Sequence, residues 1–411
     1  MKIVVLCPHF APDTAPTGTV MTGIVEGLVD RGHEIHVVTS LPWYRDHQVE
    51  EEWTGRLTRT ETTGWGSVTR VHPFPSGDKR NLFKRALGFV GFTALVGFSA
   101  VRPGGWFRKV DAVLAMSPPL TLGLTGWLVA KLRRGRFVFN IQDVFPDAAV
   151  RTGAITNSAV IRAAYRLERL SYNCADAVTV LSDDLADNVN AKLESRRSAR
   201  TDIVVIPNFV DINWLKPADG SSYRNEFCLG DGPIVMYAGN LGYSQSLDLM
   251  IGLAEKRPEV NIVINGDGAM RDVIADAAER IANLYHVGYQ PAERLPEVLS
   301  AADIHVVPLR AGLGSVSVPS KTYSILAVGK PVIAAIDEGS AVARMLADAN
   351  AGVSIPPDNI GALLDAVDAL LSDRERCEEF GANGPRWVAD HASPAAAAQA
   401  YERVLAGEQT G

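Results

Sequence analysis

Cysteine is scarce in this sequence. Cys7, Cys174, Cys228 and Cys377 are the four among 411 residues, and no two form a Cys-x-x-Cys pair. That excludes a disulfide-stapled scaffold and a thiolate zinc site, and a reducing compartment is expected. The eight histidines form neither a His-x-x-x-His nor a His-Glu-x-x-His pattern, and no strand ends in an Asp-x-Asp pair. No metal is therefore expected, and no cofactor. Basic residues are outnumbered, 40 Lys and Arg against 47 Asp and Glu, so the net charge is −7. With a pI of 5.7 this excludes a general nucleic-acid binder. Long apolar runs are missing too. Met1 to Leu6 is too short for a signal peptide and is expected to open a strand. Ala86 to Val101 falls short of the roughly 20 residues that a spanning helix needs.

What is present is globular: 47% hydrophobic and 21% charged residues, in a chain too long for one core, so two domains are expected. Lys2 to Cys7 reads as a parallel strand buried on both faces. A loop from Pro8 to Thr19, a helix to about Asp30 closed by Arg31-Gly32, and a strand Ile35 to Thr39 follow. This β-loop-α-β order opens a doubly wound α/β sheet. Gly18 stands at the loop-to-helix junction, where backbone can approach a ligand, but the loop is not a Gly-x-Gly-x-x-Gly fingerprint. His9 in the same loop either satisfies local hydrogen bonds or takes part in catalysis. Residues 45–80 are polar and turn-rich and are expected to be loop with short strands. Further on, Arg136 to Ile141 is a strand that delivers Gln142-Asp143 at its C-terminal end, where open α/β sheets bind ligands. Residues 210–232 carry Pro, Gly and Ser and read as a linker.

The second half restarts the same grammar. Pro233 to Ala238 is a strand, Gly239 to Ser246 a glycine-containing loop, Leu247 to Arg257 a helix and Val260 to Asn265 a strand. Two Rossmann-like domains facing each other across a cleft are therefore expected. They are residues 1–209, with a helix at about 390–411 crossing back, and residues 210–389. Within the second, the stretch from Val318 reads as a short helix followed by a buried strand, Val332 to Ala335. Ser320 is its N-cap candidate, Gly329 suits the left-handed position after its end, and Pro331 cannot continue it. Lys321 places a cation in the first turn, where cations are disfavoured unless an anion is near. The alternatives are an anion held by Lys321 and an exposed lysine beside an ordinary helix.

Charge is also unevenly spread. Between 79 and 136 stand eleven Lys and Arg and one acid, Asp111, around the apolar stretch Leu82 to Val101. In an acidic chain this pattern suits peripheral docking on an anionic lipid surface. The alternative is a buried helix with charged ends.

The order of these motifs resembles the retaining glycosyltransferases of family 4, which have the GT-B fold. The residues that carry the resemblance are the Gly18 loop, Arg31-Gly32-His33-Glu34-Ile35-His36-Val37-Val38-Thr39 and Ile206-Pro207-Asn208-Phe209-Val210-Asp211. Tyr237-Ala238-Gly239-Asn240-Leu241-Gly242, Gly266-Asp267-Gly268, Ala302-Asp303 and Ala327 to Ala334 complete them. Gln142 to Asp147 and Pro319-Ser320-Lys321 are most similar to the subgroup that builds colanic-acid and O-antigen-like polysaccharides. There are departures. Val316 and Ser324 stand where the family commonly has two glutamates, and Asn240 and Gln245 where it often has Arg and Lys. Gln142 stands where many members have His. The missing basic pair gives Lys321 more weight as the diphosphate partner.

The resemblance implies a retaining transfer of a hexosyl or N-acetylhexosaminyl group. The donor is a nucleotide diphosphate sugar, expected to be UDP-linked, and the acceptor a lipid-linked or saccharide hydroxyl in cell-surface polysaccharide assembly. No metal takes part. Expected at the donor diphosphate are Gly239, Asn240, Gly242, Gln245, Gly266, Pro319, Ser320 and Lys321, with Tyr289 in the base pocket. Gly18 and His9 fall on the acceptor side. Asp143 orients the acceptor or stabilises positive charge on the sugar, or else caps the Val144 turn. The expected location is cytoplasmic, on the inner face of the plasma membrane. Two alternatives share the fold: a nucleotide-sugar 2-epimerase and a non-catalytic sugar-nucleotide-binding protein.

Overall fold

The computed structural model describes every residue except 46–47, 76–81, 152, 154, 194–200, 315–318 and 409–411. The chain forms two units. The first holds Met1–Pro207 together with the C-terminal helix Pro394–Ala406, and the second holds Asn208–Ser393.

Eight strands make the first sheet: β1 (Lys2–Leu6), β2 (Glu34–Ser40), β3 (Thr58–Thr63), β4 (Gly66–Val71), β5 (Ala112–Ser117), β6 (Arg136–Ile141), β7 (Ala177–Val180) and β8 (Asp202–Val205). Their order is β3-β4-β2-β1-β5-β6-β7-β8, and all neighbours are parallel except the β3–β4 hairpin. β1, β5 and β7 read as unbroken apolar runs because helices cover both faces, and their residues are almost all fully buried. Within the stretch expected to be loop with short strands, β3 and β4 form a hairpin that extends the sheet, since β4 adds in parallel to β2. The helix Pro394–Ala406 lies against Pro16–Asp30, with Ala398 filling the space over Gly27. Glu402 accepts from Arg31 Nε at 2.7 Å and meets His33 Nε2 at 2.8 Å, while the Tyr401 hydroxyl accepts from Asn140 Nδ2 at 2.7 Å.

The second sheet holds β9 (Ile234–Ala238), β10 (Asn261–Asn265), β11 (Leu284–Val287), β12 (Ile304–Pro308), β13 (Val332–Ala335) and β14 (Gly352–Ile355). It is parallel throughout, in the order β11-β10-β9-β12-β13-β14. Two local expectations fail. Residues 210–232 are not a bare linker: they contain the helix Ser221–Glu226, and Leu215, Tyr223 and Leu229 are fully buried. Pro and Gly mark turns there, but the apolar residues between them pack on the second sheet. Nor does the Ser320 hydroxyl cap its helix. Ser320 is itself helical in φ and ψ, which turns its side chain away from the free N–H groups. Instead the Pro319 carbonyl accepts from the Thr322 N–H at 3.1 Å and from its hydroxyl at 2.9 Å.

Candidate active site

Strand order places the sites. In the second sheet the chain runs outward from β9 to β10 and β11, then returns to β12 and proceeds the other way. The reversal between β9 and β12 is a topological switch point, and the C-terminal strand ends there are the place where such sheets bind ligands. The loop after β9 is Gly239 to Ser246, and the chain after β12 leads to the helix Lys321–Ala327. Topology alone therefore brings Lys321 to the glycine loop.

The contact is close. A Cβ on Gly239 would lie 3.0 Å from Lys321 Nζ, so only glycine leaves the ammonium its room. Gly266, at the end of β10, packs so tightly on the Gly239 carbonyl that any side chain would collide with it. Lys321 Nζ donates to the Tyr237 hydroxyl at 2.6 Å and lies 4.0 Å from the centre of that ring. The Tyr237 hydroxyl in turn donates to the Asn240 carbonyl at 2.6 Å. No carboxylate pairs with Lys321 among the described residues. The residue keeps some solvent exposure, but its ammonium is enclosed, and desolvation lowers its pKa from 10.5 to about 7. Burial raises the Tyr237 phenol, helped by the neighbouring Tyr289 phenol, so Tyr237 stays a neutral donor.

Other parts of the loop are braced. Gln245 Oε1 accepts from the Gly242 N–H at 3.0 Å, which makes Gln245 a support of the loop. Arg310, after β12, donates from Nε to the Tyr243 carbonyl at 2.9 Å and from its backbone N–H to the Ser244 carbonyl at 3.0 Å. Asp337 accepts from the Gly312 and Gly314 N–H groups, both at 2.9 Å. Asn240 and Ser320 are exposed, Pro319 is partly exposed and Tyr289 is exposed. Val316 lies outside the described residues. Sequence reasoning missed Tyr237, Arg310 and Asp337. Tyr237 was available as an aromatic at the end of a buried parallel strand, whereas nothing local marks the other two.

In the first unit the corresponding reversal lies between β1 and β5. The loop after β1 holds His9, whose Nδ1 is 2.6 Å from Asp13 Oδ2 and whose ring stacks on Trp43 at 5.5 Å. Gly18 is tight against His9, since a Cβ there would sit 2.9 Å from His9 Cβ, so its close approach is to the chain itself. Asp143 follows β6, partly exposed, and its carbonyl accepts from the Phe145 N–H at 3.0 Å. Gln142 is buried and donates to Asn140 Oδ1 at 2.9 Å.

Comparison with known proteins accords with this arrangement. Residues 17–208 match the family model of the glycosyl transferase 4-like domain, and residues 223–387 match that of glycosyl transferases group 1. The putative colanic acid biosynthesis glycosyl transferase WcaI of Escherichia coli K12 is 27% identical over 386 residues, covering 90% of this chain and 92% of that protein. Sucrose-phosphate synthase from Thermosynechococcus elongatus is similar in structure with a TM-score of 0.75 at 18% identity, over 99% of this chain and 100% of that one. Anabaena Alr3699/HepE, solved in complex with UDP-glucose, gives a TM-score of 0.72 at 16% identity, again over 99% and 100%. Two consecutive family matches on two Rossmann-like α/β units make the chain a glycosyltransferase of the GT-B type, with a glycosyl transferase 4-like domain followed by a group 1 domain.

Proposed function

We propose that the chain transfers a sugar from a UDP-linked donor to a hydroxyl of a lipid-linked or saccharide acceptor in polysaccharide assembly, with retention and without a metal. The observation that carries the donor side is Lys321: an enclosed ammonium against Gly239, held by a neutral phenol and with no carboxylate partner among the described residues. A group so placed gains most when a diphosphate arrives. The anomeric C–O bond to the diphosphate breaks, the bond to the acceptor oxygen forms, and the acceptor proton passes to the departing phosphate oxygen. Negative charge grows on that phosphate as the bond breaks, and a fixed cation stabilises it more in the transition state than before. Asp143 and the His9 loop serve the acceptor side. The similarity to WcaI and the UDP-glucose complex of HepE support the donor class and the polysaccharide setting.

The acceptor is met at an anionic membrane surface. Among the described residues no helix is long and apolar enough to cross a membrane. The helix Leu82–Ala100 buries Phe92 and Val96 but exposes Phe89, Val90 and Phe98. The test of transfer is a panel of sugar nucleotides with a soluble saccharide and a prenyl-linked acceptor. Product configuration is read by NMR, with and without EDTA. Transfer with the donor's anomeric configuration, unaffected by EDTA, is expected. An inverted product refutes retention, loss of activity with EDTA refutes metal independence, and release of a free 2-epimer supports the epimerase alternative.

A further inference from the structure

Three exposed aromatic rings stand together where the helix Leu82–Ala100 gives way to residues 101–109. Phe98, Trp106 and Phe107 are 54%, 56% and 47% exposed. The ring centres of Phe98 and Trp106, and of Trp106 and Phe107, are each 6.0 Å apart. The Arg102 guanidinium covers two of them, 4.0 Å from the Phe98 ring and 4.9 Å from that of Trp106. A single exposed ring needs no explanation, but a contiguous cluster does.

The loop is held so that these rings stay outside. Phe107 has φ +53°, a conformation that a bulky residue keeps only where its surroundings enforce it. Its N–H donates to the Val101 carbonyl at 2.9 Å. Enforcement comes from Arg133, a fully buried arginine at the end of the helix Thr121–Arg133. Its Nε donates to the Arg108 carbonyl at 2.9 Å, Nη1 to the Ala100 carbonyl at 2.9 Å and Nη2 to the Pro103 carbonyl at 2.7 Å. A buried guanidinium thus serves three carbonyls around a surface loop, which fixes the loop's shape. Around it Arg102, Arg108, Lys109, Lys131 and Arg134 are exposed, with no ion pair among the described residues. The nearest acid in sequence, Asp111, accepts from the Lys2 backbone N–H at 2.6 Å.

We infer that the Phe98–Trp106–Phe107 cluster is the part of this chain that enters the headgroup layer of an anionic bilayer, with the surrounding cations on the lipid phosphates. Trp106, with its polar indole N–H, favours that depth, the two phenylalanine rings add apolar burial, and each nearby cation adds attraction to an anionic surface that salt screens. A second copy of the chain is a poorer occupant, because it would face one unbalanced cationic rim with another. The inference rests on the lipid-side acceptor reading above and adds which residues make the contact.

The full-length chain is sedimented with vesicles of phosphatidylglycerol and phosphatidylcholine at low and high salt. The variant W106S/F107S is expected to lose binding by about tenfold or more at low salt, because it removes two ring burials. Its unfolding temperature and UDP affinity are expected to stay as in the wild type. With seven tryptophans in the chain, brominated lipid is used to compare wild type with W106F. W106F is expected to bind, with weaker quenching. If W106S/F107S binds vesicles like the wild type, or W106F is quenched equally, the bilayer contact lies elsewhere and the lipid-side reading survives. If the wild type binds no vesicle, both fail. A dimer that W106S/F107S abolishes assigns the cluster to self-association and overturns the inference. Transfer to the soluble saccharide acceptor, assayed separately, tests the catalytic proposal independently of all these outcomes.

Discussion

Lys321 sits in surroundings that change its ordinary chemistry. Burial lowers its pKa to about 7, so between there and 10.5 the unfolded chain holds a proton that the folded, ligand-free chain does not. Stability from this group therefore rises with pH across that window. A bound diphosphate favours the ammonium, which reverses the preference: UDP affinity falls as pH rises above about 7, and binding takes up a proton. Calorimetry in buffers of different ionisation enthalpy counts that proton. Lys321→Ala is expected to lose about 1.5–3 kcal/mol of UDP affinity near neutral pH and all of the proton uptake, while remaining folded. Unchanged affinity in that variant removes Lys321 from the donor site. Asp143 lies in the other unit, so Asp143→Asn is expected to lower turnover at saturating donor more than donor affinity. A collapse of donor affinity with turnover preserved would contradict its acceptor-side role.

Among the secondary-structure elements, the helices Asp147–Arg151, Ser158–Cys174 and Asp183–Leu193 are joined by one partly buried cation, Lys192. Lys192 Nζ lies 2.9 Å from Asp147 and 2.6 Å from Glu168, which is fully buried and also accepts from the Tyr172 hydroxyl at 2.9 Å. Burial pushes Glu168 up to about 7 against the pull of Lys192. Burial also acts to raise Asp147, but hydrogen bonds from Tyr165, Lys192 and Asn188 hold it below the usual carboxylate range. Glu168 is protonated more readily folded than unfolded, so its contribution to stability is complete below 4.5 and lost as pH rises to about 7. Lys192→Met leaves two buried carboxylates without their cation and is expected to cost about 3–5 kcal/mol near pH 8. Both carboxylates can take up protons in acid, so the loss should shrink near pH 5. Urea titrations at the two pH values decide it, and an equal loss at both would mean the cation is not what those carboxylates need.

On the scale of the whole molecule, the last helix completes a core that begins with the first strand. Tyr401, Val404 and Leu405 are buried there, and each such side chain contributes roughly 1.5–3 kcal/mol on burial. Ending the chain after Ser393 is therefore expected to cost on the order of 5 kcal/mol, comparable with the whole stability of a domain. The expected readout is early melting of the first unit, with hydrogen exchange gained in the helix Pro16–Asp30. A truncated chain that melts like the full one would show that the helix merely rests on its unit.

The sequence by itself determined the elements and their alternation. Unbroken apolar runs such as Val4-Val5-Leu6 and Ile262-Val263-Ile264 have one stable place, the middle of a parallel sheet, and the turn residues between them mark where each ends. It also singled out Lys321, because a cation in the first turn of a helix is out of place locally. Local signals do not carry sequence-distant partners. Tyr237 meets Lys321 across 84 residues only because β9 and β12 are neighbours, and Asp337 reaches back to Gly312 and Gly314 after an intervening helix and strand. Local pattern misled at Ser320, where a suitable capping side chain is turned away by its own backbone. It was silent on Phe107 and Arg133, whose orientation depends on three carbonyls brought together only when the two helices pack. Element identity follows from the periodicity of neighbours in sequence, whereas a site is made by neighbours in space, and those the tertiary structure decided.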